Sequence, residues 1–291
     1  MKDNLIVDFT PTGMIPTKSL NSFTPINVTE IIEDVRNAWK IGITKVHLHA
    51  RDSQTEYPTF KKEIYAQMIE GIRKFAPDLV ICVSLSGRTF SKFEERSEVL
   101  ELEGFLKPDM GSLTLSSLNF NKIASVNSPD MIQALAGKML KLGIVPELEA
   151  FDAGMINYAK YLIKRGLLKS PYYFNLLLGN IACAQADILY AGLMIRDLPE
   201  ESFWSLAGIG DYQLMMNSVS IAIGGGVRVG LEDNIWYDTE RTILARNTDL
   251  IKRIHVIAKA NGRRLMTSKE FRNKMQLEEG NGKYGRKRDE F

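Results

Sequence analysis

Two histidines one residue apart, in Lys45-Val46-His47-Leu48-His49-Ala50, are the first residues of this chain whose type and spacing suggest chemistry. Side chains alternate faces along a strand, so His47 and His49 share one face while Val46, Leu48 and Ala50 share the other. Two imidazoles so placed can chelate a divalent metal, although a hydrogen-bonded pair of core histidines has the same pattern. The chain holds only three histidines, and the third, His255, is expected on a helix. A second cluster, Arg228-Val229-Gly230-Leu231-Glu232-Asp233, comes late in the chain. Alternation there turns Arg228 and Glu232 one way and the apolar Val229 and Leu231 the other. A cation and a carboxylate facing inward are costly unless paired or bound to something. Glu232 would complete a set of two His and one carboxylate with an open position, which suits catalytic Zn²⁺; non-haem Fe(II) uses the same ligand types. An Arg228–Glu232 ion pair is the structural alternative.

Other inward polar positions fall in the same phase. Ser84 pairs with Ser86, Ser112 with Thr114, and Glu147 with Glu149, while Asn175 faces away from Phe174 and Leu176. Barrel interiors are filled mainly by Val, Ile and Leu, so this many polar groups suggest a polar substrate. Each Ser taken singly fits a small residue in a tight layer equally well. Gly208-Ile209-Gly210 and Gly224-Gly225-Gly226 could offer backbone N–H groups to phosphate, a weak signal in a fold rich in turns. Arg88 in Ser86-Gly87-Arg88 could meet a carboxylate or a phosphate, or only solvent.

The elements that must position these residues are short apolar runs near 4–9, 45–50, 79–85, 109–115, 144–151, 172–178, 202–208 and 226–232. Between them lie helix signals. Asn27 or Thr29 can cap a helix from Glu30, Ser128-Pro129-Asp130 supplies a cap and an N1 proline, and Ser91/Glu94 and Thr267/Glu270 have capping-box spacing. Eight strands alternating with helices predict a single-domain (β/α)8 TIM barrel, an α/β fold, over residues 1–291, with a short C-terminal helix and a charged tail. That tail, Gly280 to Phe291, is expected to fray or to pack on a neighbouring subunit. An open doubly wound sheet is disfavoured, since no G-x-G-x-x-G follows the first strand. Placed at the C-terminal ends of barrel strands, the His pair and the Arg-Glu-Asp cluster would share one mouth.

Composition narrows the classes. The 291 residues are 45% hydrophobic and 25% charged, with a net charge of +2, which disfavours a disordered chain and a nucleic-acid partner. The most apolar stretch, about 172–195, is broken by Asn175, Asn180, Gln185 and Asp187, so no membrane span is expected. Two cysteines and no visible export signal fit a reducing cytoplasm.

The quoted cluster and its companions, Pro11-Thr12-Gly13, Val46 to Asp52, Ser117-Leu118-Asn119-Phe120, Pro146-Glu147-Leu148-Glu149, Gly208-Ile209-Gly210 and Arg228 to Asn234, resemble the β-keto acid cleavage enzymes in order and over nearly the whole chain. The resemblance implies a Zn²⁺-dependent (β/α)8 barrel, usually tetrameric, that converts a β-keto acid and acetyl-CoA into acetoacetate and a new acyl-CoA. By position it implies His47, His49 and Glu232 as metal ligands and Arg228 and Asp233 as the catalytic pair, with Glu149 assisting. Ser84, Ser112 and Thr114 would surround the substrate, and Arg88, Asn119, Gly208 and Gly210 are the expected acetyl-CoA contacts. Members acting on an aminated keto acid would place a carboxylate in the turn after the first strand, where this chain has Met14 and Ile15. A neutral or apolar keto acid side chain is therefore expected. The rival readings are a metal-dependent barrel hydrolase, which needs water and no CoA, and a non-catalytic binding protein, which needs no metal.

Overall fold

A computed structural model describes residues 4–287. All eight expected strands form: β1 (Val7–Phe9), β2 (Lys45–Leu48), β3 (Val80–Val83), β4 (Met110–Thr114), β7 (Val145–Ala150), β8 (Tyr172–Leu178), β9 (Ser202–Gly208) and β10 (Gly226–Val229). They close a parallel barrel in the order β1-β10-β9-β8-β7-β4-β3-β2. A small antiparallel hairpin, β5 (Leu118–Asn119) and β6 (Ala124–Ser125), interrupts the β/α alternation beside the mouth. Its two-residue strands are too short for a periodic signal, so pattern reading passes over them.

The alternation is as expected. Val46, Leu48, Leu113, Leu148, Phe174, Val227 and Val229 join the helices in one large apolar core. The opposite face lines the barrel, where Val80, Cys82, Met110, Val145 and Tyr173 form a second cluster with Phe271 and Met275. Phe271 belongs to α9 (Ser268–Lys274), which plugs the N-terminal end of the barrel, its ring edge-on to Tyr173 at 5.4 Å.

Capping decides where most of the quoted helices begin. Asn27 and Glu30 form a capping box at α1 (Val28–Ile41), and Thr267 with Glu270 does so at α9. Ser128 caps α4 (Pro129–Leu142) with proline at its first position. The Ser91/Glu94 spacing does not act as a cap: α3 (Phe93–Ser97) starts after Lys92 without a side-chain cap. Tertiary contacts hold that short helix instead, since buried Arg96 donates to the Leu85 carbonyl and to Asn127 Oδ1. His255 lies on α8 (Asn247–Ala260), as expected, and its Nε2 donates to the Gly42 carbonyl.

Two expectations need correction. The last strand stops at Val229 rather than running to 232, so Glu232 and Asp233 sit in a turn. Gly230 has φ +155, and a Cβ there would lie 2.1 Å from the Thr10 carbonyl oxygen; close approach of β1 bends the chain. The tail also differs. Residues 280–287 turn back under the barrel, with Tyr284 buried and the Gly285 N–H on Asp109 Oδ1. The guanidinium of Arg272 grips the same Asp109 through two nitrogens at 2.9 Å. Residues 288–291 lie outside the described residues. Among those described, no helix is long and apolar enough to cross a membrane.

Candidate active site

At the C-terminal ends of the strands, β2 turns His47 and His49 into the barrel, and the turn after β10 brings Glu232 against them. His47 Nε2 and His49 Nε2 are 3.2 Å apart, and His49 Nε2 is 3.1 Å from Glu232 Oε1. The three ligand-type atoms lie within 4.8 Å of one another. From β10 itself comes Arg228, donating from Nη2 to Glu232 Oε1 at 2.6 Å and from Nε to Asp233 Oδ2 at 3.0 Å. The ion pair weighed against a metal site is therefore present, but it engages only one oxygen of Glu232. Glu232 Oε2 is buried without a hydrogen-bond partner, and so is Arg228 Nη1.

A layer beneath orients these groups. His47 Nδ1 is 2.6 Å from Glu147 Oε1, an arrangement that fixes the ring and leaves Nε2 directed toward His49. Glu147 is paired with Lys45, which also donates to Asp8 Oδ1 at 2.7 Å. Asn175 Nδ2 donates to Asp8 Oδ2 at 2.9 Å, and the Tyr173 and Ser205 hydroxyls meet at 2.8 Å. Lys45, Asp8, Tyr173 and Ser205 were not singled out from sequence. Their signal was available for two of them: Lys45 is in phase with His47, and Asp8 is the polar residue between Val7 and Phe9.

The charges show what the site needs. Five carboxylates, on Asp8, Glu147, Glu149, Glu232 and Asp233, are clustered around two fixed cations, Lys45 and Arg228. Burial pushes Glu149 upward, and burial together with Glu232 pushes Asp233 up to about 6 against the pull of Arg228. Burial also opposes ionisation of Glu232, but Arg228 and the two imidazoles hold it below the usual range. His49 is pushed down by desolvation; burial opposes the charged form of His47 as well, but Glu147 and Glu232 together overcome it and raise His47. More carboxylates than fixed cations, two adjacent imidazole nitrogens and a carboxylate oxygen without a hydrogen bond fit a divalent cation held by His47, His49 and Glu232.

Above this floor opens a cavity of about 480 Å³. Met14 and Ile15 from the loop after β1 form part of its wall, with Ser84, Thr114, Glu149 and Gly210 around it. Thr114 Oγ1 donates to Glu149 Oε2 at 2.7 Å, and the Gly210 N–H donates to the Asp233 carbonyl. Arg88 also lines the cavity, its guanidinium 3.5 Å over the Phe120 ring with Nε unpartnered. Three expected contacts are not brought to the wall. Ser112 is buried with its Oγ accepting from the Leu85 N–H, and the Asn119 side chain is exposed while its carbonyl accepts from Asn180. Gly208 is packed against the Tyr212 carbonyl. Strand phase identifies the face of such a residue and says nothing of its depth.

Fold and site together define a (β/α)8 enzyme whose His, Glu, Arg and Asp side chains meet at the barrel mouth. The family model for beta-keto acid cleavage enzyme matches residues 4–277, and the chain belongs to that family. It is 34% identical over 280 residues to a 3-keto-5-aminohexanoate cleavage enzyme of Fusobacterium nucleatum, covering 95% of this chain and 99% of the relative. It is also 34% identical to a 3-oxoadipate:acetyl-CoA acetyltransferase of Cupriavidus necator, covering 94% of each. The apo structure of ObcA shares the fold, with a TM-score of 0.78 at 20% identity; the match covers 88% of this chain and 66% of that one. These relatives support an acyl-transferring enzyme and give the hydrolase reading no support.

Proposed function

We propose that this chain is a Zn²⁺-dependent β-keto acid cleavage enzyme that condenses its keto acid with acetyl-CoA, yielding acetoacetate and a new acyl-CoA. The observation that carries the reading is the convergence of His49, Glu232, Arg228 and Asp233 on the wall of one cavity, with His47 buried directly beneath them and within ligand distance of His49 and Glu232. Zn²⁺ on the three ligands would supply Lewis acidity to the chelated keto acid. Arg228, whose Nη1 makes no hydrogen bond and stands 3.6 and 3.7 Å from Glu147 and Glu149, holds the substrate carboxylate or the developing enolate charge. Asp233, held by Arg228 Nε, takes the proton from the carbon between ketone and carboxylate, and Glu149 assists proton movement. The resulting carbanion attacks the acetyl carbonyl and expels CoA thiolate. The thiolate then adds to the original ketone, and carbon–carbon cleavage releases acetoacetate as the acyl group stays on CoA.

Ser84 and Thr114 flank the substrate, whereas Ser112 supports them from below. Arg88 is the acetyl-CoA contact this reading retains; Gly210 lines the cavity with its N–H already given to the Asp233 carbonyl, and Asn119 and Gly208 serve only to shape the loops. Met14 and Ile15 offer no carboxylate to an ammonium group, which supports a neutral or apolar acyl side chain. The substrate names of the relatives therefore do not transfer directly. The reading extends to a homotetramer in a reducing cytoplasm, supported by exposed Ile188 and Leu189 and by two free cysteines.

The test is metal content by mass spectrometry on protein purified without added metal, for wild type and for His47→Ala/His49→Ala. About one Zn²⁺ per chain, lost in the double variant, followed by acetyl-CoA-dependent turnover of a keto acid panel, is the expected result. A well-folded wild type that takes up no Zn²⁺ when it is offered would refute the proposal. A panel led by an aminated keto acid would overturn the apolar-pocket part alone.

A further inference from the structure

We propose that Arg51 is a positioning residue that fixes the loop after β1 over the site, setting both the orientation of Glu232 and the wall formed by Met14 and Ile15. This rests on the proposed roles of Glu232 and of that wall. Arg51 follows His49 by two residues and is only 3% exposed. Its hydrogen bonds run to the backbones of two different loops: Nε to the Glu56 carbonyl at 2.7 Å and Nη1 to the Gly13 carbonyl at 2.8 Å. Each such bond to a charged donor is stronger than a neutral one, so one side chain ties the two loops together.

The geometry of Gly13 connects this tie to the site. Gly13 has φ +67, and a Cβ on it would lie 2.5 Å from Glu232 Cγ. Its backbone therefore rests directly on the Glu232 stem and limits where the carboxylate can swing. A second tie closes the loop further on, where Glu56 Oε2 accepts from the Lys18 N–H at 2.9 Å. Glu56 itself has φ +59, a strained conformation held in place by these contacts. Residues 14–17 thus span two anchor points, both set by the segment that continues the His47–His49 strand. Ligand orientation and acyl-pocket shape are coupled through Arg51.

The experiment uses the Zn²⁺-loaded protein with Arg51→Lys, which keeps the charge but cannot reach both carbonyls, and Arg51→Met. Three quantities are read: amide hydrogen exchange over residues 12–18, Zn²⁺ affinity by competition with a chelator, and separate KM values for keto acid and acetyl-CoA. Exchange should accelerate in that loop alone, and Zn²⁺ affinity should fall by about 10- to 100-fold, the usual effect of losing a supporting contact. KM for the keto acid should rise while that for acetyl-CoA stays within about twofold. Folded variants with wild-type loop exchange and wild-type Zn²⁺ affinity would overturn the proposal, as would equal changes in both KM values. Should both variants fail to fold, Gly13→Ala tests the coupling with Arg51 intact, and undiminished Zn²⁺ affinity there would overturn it. If wild type binds no Zn²⁺, the functional reading fails, while the loop-exchange arm still decides the role of Arg51.

Discussion

Arg228 governs the charge balance of the site. It is fully buried, it touches Glu232 and Asp233 directly, and Glu147 and Glu149 lie 3.6 and 3.7 Å from Nη1. Its removal leaves these carboxylates to repel one another, so Arg228→Met should lower kcat by about 10²–10³-fold, the scale of losing one electrostatic stabiliser. Asp233→Asn should cost about 10²–10⁴ in kcat by removing the base, with Zn²⁺ content unchanged. Steady-state kinetics together with metal analysis separate the two roles; metal loss in Asp233→Asn would make that residue structural. The top layer of the site was legible from sequence because His is scarce and the alternation is clean. Its supporting layer was less so: Lys45 and Asp8 could be assigned a face, but the partner of Lys45, Glu147, lies 102 positions away.

Loops set what the strands cannot. The segment after β1 carries Met14, only 9% exposed, and more open Ile15 into the cavity wall. A carboxylate in place of Met14 should favour an ammonium-bearing keto acid through a charge-assisted contact. Met14→Glu is thus expected to raise the ratio of kcat/KM for an aminated over an apolar keto acid; an unchanged ratio would remove Met14 from the acyl pocket. Behind the same segment, Gly230 lets the end of β1 pass close to the end of β10. Gly230→Ala should destabilise the fold by about 1–3 kcal/mol, since the added methyl meets backbone that cannot move aside cheaply. Thermal melts would show this, and Zn²⁺ affinity should fall with it because Glu232 is two residues on. A variant with wild-type Tm and metal content would show that the turn tolerates a side chain.

Across the whole molecule, the first and last helices of the ring meet behind the site. Asn247 at the start of α8 donates to Asp34 Oδ2 on α1 and to the Pro11 carbonyl, while its Oδ1 accepts from the Leu231 N–H. Burial raises Asp34 from 3.8 to about 7, opposed by the Asn247 hydrogen bond. A carboxyl raised in this way binds a proton more tightly in the folded state than in the unfolded one. Its contribution to stability is therefore greatest at low pH and declines as pH climbs from about 4 to about 7. Asp34→Asn removes that dependence, so its Tm relative to wild type should be more favourable at pH 8 than at pH 5. The same difference at both pH values would exclude Asp34 as the titrating group.

Local periodicity was enough to determine the eight strands, three of the four marked helix starts and the inward face of His47, His49 and Arg228. Each of these depends on neighbours a few residues apart, and two-residue alternation or a capping side chain is written in that window. Resemblance carried the reaction class further than spacing could. Only the closed barrel decided the rest. It determined which inward serines reach the cavity, that Glu232 arrives on a turn bent by β1, that Lys45 neutralises Glu147, and that the tail folds under α9. These outcomes depend on strand stagger and on backbone contacts between residues far apart in the chain. The pattern along any single strand does not specify such distances.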